Sequence, residues 1–213
     1  MSLAGLFSIG FIMGLTGAMA PGPLLTITIG ESAKRGGIVG PLVVVGHGIL
    51  EFVFLIFIVL GVANLFTSPS VYSFVAICGG FVLIYMGYGI IKNIKNYSLT
   101  ASPAKEKQGL HPVIIGVVVS LSNPYWFIWW ITIGMGYVLF AGNLGISGIL
   151  AFFAGHILSD LVWYSFISYS IQFGGRYVSP RAIKSVLFVC SIFLIIFGIL
   201  FIVKGYNFIR LII

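Results

Sequence analysis

Apolar residues run along this chain in long blocks separated by short polar connections, with neither the stripe of a half-buried helix nor the alternation of a half-buried strand. A bilayer core takes roughly 20 apolar residues as a helix, and blocks of that length predict six spans. They lie near residues 4–29, 38–64, 71–91, 113–140, 145–171 and 184–206. The pattern therefore predicts an all-α membrane protein with six transmembrane helices. The extended polar segment between Lys92 and Pro112, with Asn93, Lys95, Asn96, Lys105, Glu106 and Lys107, reads as a flexible cytoplasmic linker. It divides the chain into a three-helix unit over 1–91 and a second over 113–213.

The two units read as copies. Gly46-His47-Gly48-Ile49-Leu50-Glu51 is matched by Gly155-His156-Ile157-Leu158-Ser159-Asp160, so each unit carries a histidine and a carboxylate one helical turn apart in its second helix. The first helices share a proline break, Gly14 to Pro23 against Gly116 to Pro124. The third helices share a weaker match, Cys78 to Tyr85 against Cys190 to Phe197, of a kind that apolar composition alone also generates. Copies with three spans each have opposite orientations, which is the inverted-repeat architecture of secondary transporters.

Composition narrows the class. With 60% hydrophobic and 7% charged residues and a mean hydropathy of +1.17, most of the surface belongs in lipid. No basic segment precedes the first apolar block, which is longer than a signal peptide's core, so it is expected to stay as a mature helix. A net charge of +7 would point to nucleic acid in a soluble protein. Here all basic residues except Lys204 and Arg210 fall in or beside the first, third and fifth connections, so the charge sets orientation. Both termini of a multi-pass protein of the cytoplasmic membrane are then expected outside. Cys78 and Cys190 sit in apolar helices without a CxxC pairing and read as small hydrophobic residues.

Four ionisable groups inside apolar blocks are the candidate chemistry, because each costs roughly 2.5 to 3.5 kcal/mol to insert at a helix centre. His47, Glu51, His156 and Asp160 are open to three readings: a polar clamp between packed helices, a proton relay, or a site for a divalent transition metal bound by two imidazoles and two carboxylates. The breaks at Gly17, Pro21, Gly22 and Pro23 and at Ser122, Asn123 and Pro124 are either plain kinks or half-helix ends presenting unpaired N–H groups to a substrate carboxylate. Tyr125, Trp126, Trp129 and Trp130 follow the second break; Trp126 and its neighbours line a cavity or pack the core. No phosphate-binding or catalytic motif appears, and no cofactor is implied.

Gly14 and Pro21-Gly22-Pro23, followed by Gly30, Arg35-Gly36-Gly37, Gly40, Gly46 and Glu51, resemble the N-terminal signature of the LysE/RhtB family of amino-acid exporters. Asn123-Pro124 and Asp160 with Trp163 resemble that family's later features, and the similarity spans the chain. The resemblance implies a transporter, not an enzyme, exporting a small amino acid or related metabolite by proton antiport. Glu51, Asp160, His47 and His156 would couple to protons; Gly17, Pro21, Gly22, Pro23, Ser122, Asn123, Pro124 and Trp126 would hold substrate. Trp129 stands where the arginine-exporting branch carries a carboxylate, which favours a neutral substrate. The wider superfamily includes metal exporters, so the alternative of His47, Glu51, His156 and Asp160 as metal ligands stays open. The expected partners are a small molecule, protons and the bilayer, with a homodimer compatible and nucleic acid excluded.

Overall fold

A computed structural model of the chain describes residues 2–61, 69–94, 109–174 and 179–210, all helical or connecting. The helices are α1 (Leu3–Ala18), α2 (Pro23–Arg35), α3 (Val39–Val59), α4 (Pro69–Asn93), α5 (Pro112–Leu121), α6 (Pro124–Trp129), α7 (Met135–Ala141), α8 (Gly145–Gly174) and α9 (Pro180–Arg210). A π-helical turn, Trp130–Gly134, joins α6 to α7, and a 3-10 turn, Gly142–Leu144, joins α7 to α8. Residues 95–108, most of the expected linker, and Arg176 lie outside the described residues. At the linker's edges, α4 runs on to Asn93 and α5 begins at Pro112.

Helix ends fall where the sequence removes the means to continue. Proline at position 21 and again at 23 breaks the first span, and α1 and α2 meet at 74°. Gly36 ends α2 with φ +88° and Gly145 separates α7 from α8 with φ +66°, backbone states that a side chain makes costly. Four helical stretches are long and apolar enough to cross a membrane among the described residues, or five when α1 and α2 count as one bent span. One of the four is the continuous run Pro124–Gly174. Within it the chain doubles back at Gly145: Gly148 sits against the Ala141 carbonyl, and Tyr137 stacks on Phe152 with ring centroids 5.5 Å apart. The outer faces, including Phe74, Phe81, Leu139 and Phe166, are strongly exposed apolar surface, as lipid contact requires.

Glycine contacts set the packing. A Cβ on Gly10 would strike the Phe152 carbonyl and one on Gly155 the Phe7 carbonyl, which fixes α1 against α8. The same reciprocal pair recurs between α3 and α5, where Gly46 meets Val113 and Gly116 meets Val43. Helices α4 and α9 form the third pair, running antiparallel, with Gly80 against the Gly198 carbonyl and Gly198 against the Gly80 carbonyl.

These contacts pair other positions than the sequence matches do. Gly116 and Gly10 make like contacts with a neighbouring helix, and Gly80 meets Gly198, whereas the sequence match sets Cys78 against Cys190. Gly87 against Ser191 and Gly205 against Ser73 give the same register, and Cys78 is exposed whereas Cys190 is buried. Runs of interchangeable aliphatic residues carry no register; points of backbone contact do.

Candidate functional site

The centre of the molecule lies where α3 and α8 face each other beside both helix breaks. Spacing of four residues puts His47 and Glu51 on one face of α3, and His156 and Asp160 on one face of α8. Close approach of Gly40 in α3 to the Tyr164 carbonyl of α8, and of Gly48 to Ile157, brings these faces together, and all four side chains are buried.

The sequence pairs each histidine with the acid of its own helix; the structure makes Glu51 the hub. His47 Nε2 lies 3.1 Å from Glu51 Oε1 and 3.5 Å from Asp160 Oδ2. His156 Nε2 lies 3.1 Å from Glu51 Oε2 but 3.7 Å from Asp160 in its own helix. Two indoles complete the shell of Glu51: Trp130 donates its N–H to Oε1 at 2.7 Å and Trp126 at 3.0 Å. The second oxygens of both acids are buried with imidazole contacts only, Glu51 Oε2 3.1 Å from His156 Nε2 and Asp160 Oδ2 3.5 Å from His47 Nε2, and His156 Nδ1 is buried without a partner. Ser120 in α5 lies 2.7 Å from His47 Nδ1 and orients that ring. Trp129 stacks on the His156 imidazole at a centroid distance of 4.7 Å.

A cavity of about 60 Å³ opens beside this cluster. Of the residues expected to hold substrate, Gly17, Asn123 and Trp126 line it, together with all four ionisable residues. Pro21, Gly22, Pro23, Ser122 and Pro124 are not among its lining residues and act on its shape through the backbone. Pro23 and Pro124 each open a helix at its first turn, the Ser122 hydroxyl donates to the Val118 carbonyl that also accepts the Ser122 N–H, and Pro124 is covered by α4 at Gly79. The two breaks are capped differently. Asn123 Oδ1 accepts the Tyr125 N–H at 3.1 Å, whereas the residue before Pro23 is Gly22, which offers no side chain.

Sequence reasoning passed over four residues of this site: Gly14, packed against His156 and Ser159; Ser120; Tyr164; and Trp130, seen only as one of an aromatic group. The four-residue spacing of Trp126 and Trp130, two N–H donors on one face at the depth of Glu51, was the available signal. His47, Glu51 and Asp160 could hold a metal, since each offers one ligand atom and these lie within 4.8 Å of one another.

A helical bundle with apolar flanks and a buried, cavity-lining cluster of ionisable groups defines a multi-pass membrane transporter of a small molecule. The model of the LysE type translocator family matches residues 15–205, and the chain belongs to that family. It is a transport protein, not an enzyme. It is also similar, at 22% identity over 91% of this chain and 93% of the other, to a protein of Bacillus subtilis (strain 168) described as a "Putative amino acid efflux protein YcgF". No solved structure matches significantly.

Proposed function

We propose that this protein exports a small amino acid or a closely related metabolite across the cytoplasmic membrane in exchange for protons. The observation that carries the reading is the convergence of His47, Glu51, His156 and Asp160, from two distant segments, into one buried cluster on the wall of a cavity bounded by both helix breaks. Titratable groups that share one site with a substrate cavity are the means by which proton movement is tied to substrate movement. The family match and the efflux relative favour export and an amino-acid substrate.

The reading includes six crossings arranged as two inverted units, 1–91 and 113–213, joined by the cytoplasmic linker 92–112, with both termini outside. The reciprocal glycine contacts support it, because each pair exchanges equivalent positions of the two halves. The turn at Gly145 supports division of the Pro124–Gly174 run into two crossings. Substrate would be held by backbone at Gly17, Pro21, Gly22 and Pro23 and at Ser122, Asn123 and Pro124, with Trp126 closing the wall.

Proteoliposomes carrying a pH-sensitive dye test this. Amino-acid efflux from wild-type vesicles should move protons the opposite way, and Glu51→Gln should lose uphill accumulation while retaining exchange between equal compartments. Amino-acid flux without proton movement would sink the antiport reading. A second reading, divalent-metal export, is favoured by the spacing of His47, Glu51 and Asp160. Both indole N–H groups of Trp126 and Trp130 sit on Glu51 Oε1, so a metal would take Oε2. Zinc- or manganese-dependent transport abolished by His47→Ala would establish it.

A further inference from the structure

We infer that the cavity grips a zwitterion by its two ends, the ammonium group on Asp160 and the carboxylate on the open N-terminus of α2. The inference rests on the amino-acid reading above and adds which groups recognise the substrate.

The two central acids are alike in sequence and unlike in surroundings. Glu51 is taken up by the protein, with Trp126 and Trp130 from the helix after the second break donating to it. Counted from the proline that opens each half-helix, Pro124 and Pro23, the corresponding positions in α2 are Leu25 and Ile29, which have no side-chain donor. Both are buried. Asp160, only 3% exposed, accordingly has no indole donor: its Oδ2 meets His47 Nε2 at 3.5 Å and His156 Nε2 at 3.7 Å, and the residue lies on the cavity wall. A carboxylate on a cavity wall that is held only by such long imidazole contacts is open to a cationic donor from the occupant. One turn further along α8, Tyr164 also lines the cavity and its hydroxyl reaches the carbonyl of Ala18, the last residue of α1, at 3.5 Å. Asp160 thus stands beside the first break.

The start of α2 supplies the other end. The first N–H groups of a helix have no partner within it. At α6 the side chain of Asn123 fills that need; at α2 the capping position is Gly22, in extended backbone with no side chain, and Pro23 brings no N–H. The amides of Leu24 and Leu25 are left for an anion, and Leu24 lines the cavity with Gly17 and Ala18. An anion receptor and an acid without an indole donor on one wall suit the carboxylate and ammonium groups of an α-amino acid.

The test is a coupling measurement on purified protein. Probes are the twenty L-amino acids and, for the tightest binder, its carboxamide and its deamino acid (alaninamide and propionate for alanine), read by calorimetry. Wild type should bind the amino acid at least tenfold more tightly than either analogue. Asp160→Asn should weaken the amino acid and the carboxamide at least tenfold and leave the deamino acid unchanged. Gly22→Asp, which has room at that position and caps α2 with its own carboxylate, should weaken the amino acid and the deamino acid at least tenfold and spare the carboxamide. Its melting temperature should not fall, which separates lost binding from misfolding. Equal weakening of all three probes in either variant overturns the clamp while the amino-acid reading stands. Failure of all twenty amino acids to bind wild type removes that reading, and the clamp with it.

Discussion

Trp130 and Glu51, 79 residues apart, are joined by an indole N–H to carboxylate hydrogen bond of 2.7 Å at the centre of the molecule. Both residues are buried to the point of having essentially no contact with the surroundings, so this bond replaces hydration that Glu51 cannot have. Trp126 repeats the interaction one turn earlier. Together they tie the half-helix after the second break to the acid of α3.

Removing one donor from a buried carboxylate costs about 1–3 kcal/mol. Trp130→Phe and Trp126→Phe should each lower the melting temperature of the purified protein and reduce transport in proteoliposomes. Trp129→Phe, whose ring stacks on His156 without bonding Glu51, should lower it less. Equal losses for all three would mean that ring packing, not the N–H groups, holds the site.

Glycines at the helix crossings are the second point of test. Gly155→Ala and Gly46→Ala drive a methyl group into the carbonyls of Phe7 and Val113, and overpacking of this kind costs about 1–3 kcal/mol. Gly136 has open space where its Cβ would be, so Gly136→Ala should be neutral or gain up to about 1 kcal/mol from helix propensity. Yields of monodisperse protein and melting temperatures measure the contrast; a Gly136→Ala as damaging as Gly155→Ala would remove packing as the explanation.

Arg35 fastens the far end of α2. Its Nε lies 2.9 Å from Glu31 Oε2 and its Nη1 donates to the Leu110 carbonyl at 2.8 Å, while the Gly37 N–H donates to the Gln172 side chain. Arg35→Lys cannot make both of the arginine's contacts. A cysteine at Gly17, in a background without Cys78 and Cys190, should then react faster with a thiol reagent added at the cytoplasmic side of inverted vesicles. An unchanged rate would show that these contacts do not restrain the passage to the cavity.

Topology is open to direct labelling. In intact cells a single cysteine at Ser2 should react with an impermeant thiol reagent and one at Ser179 should resist it. The reverse pattern would turn the molecule over and invert the assigned direction of transport.

Several features of this protein are local and were therefore legible in the sequence. Apolar blocks of membrane length mark helices wherever they pack. The breaks at Pro21-Gly22-Pro23 and Asn123-Pro124 follow from missing backbone donors, and the four-residue spacing of His47 with Glu51 and of His156 with Asp160 places each pair on one helix face whatever surrounds it. The tertiary structure alone decided the rest. Aliphatic residues are interchangeable against lipid, so the register of α4 with α9 is written in Gly80 and Gly198, not in the Cys78 and Cys190 match. The two acids carry the same chemistry one turn after a histidine, yet one faces Trp126 and Trp130 while the positions answering to these in α2 are Leu25 and Ile29. Which acid receives indole N–H groups depends on donors from the other half of the chain, and only folding brings those donors into reach.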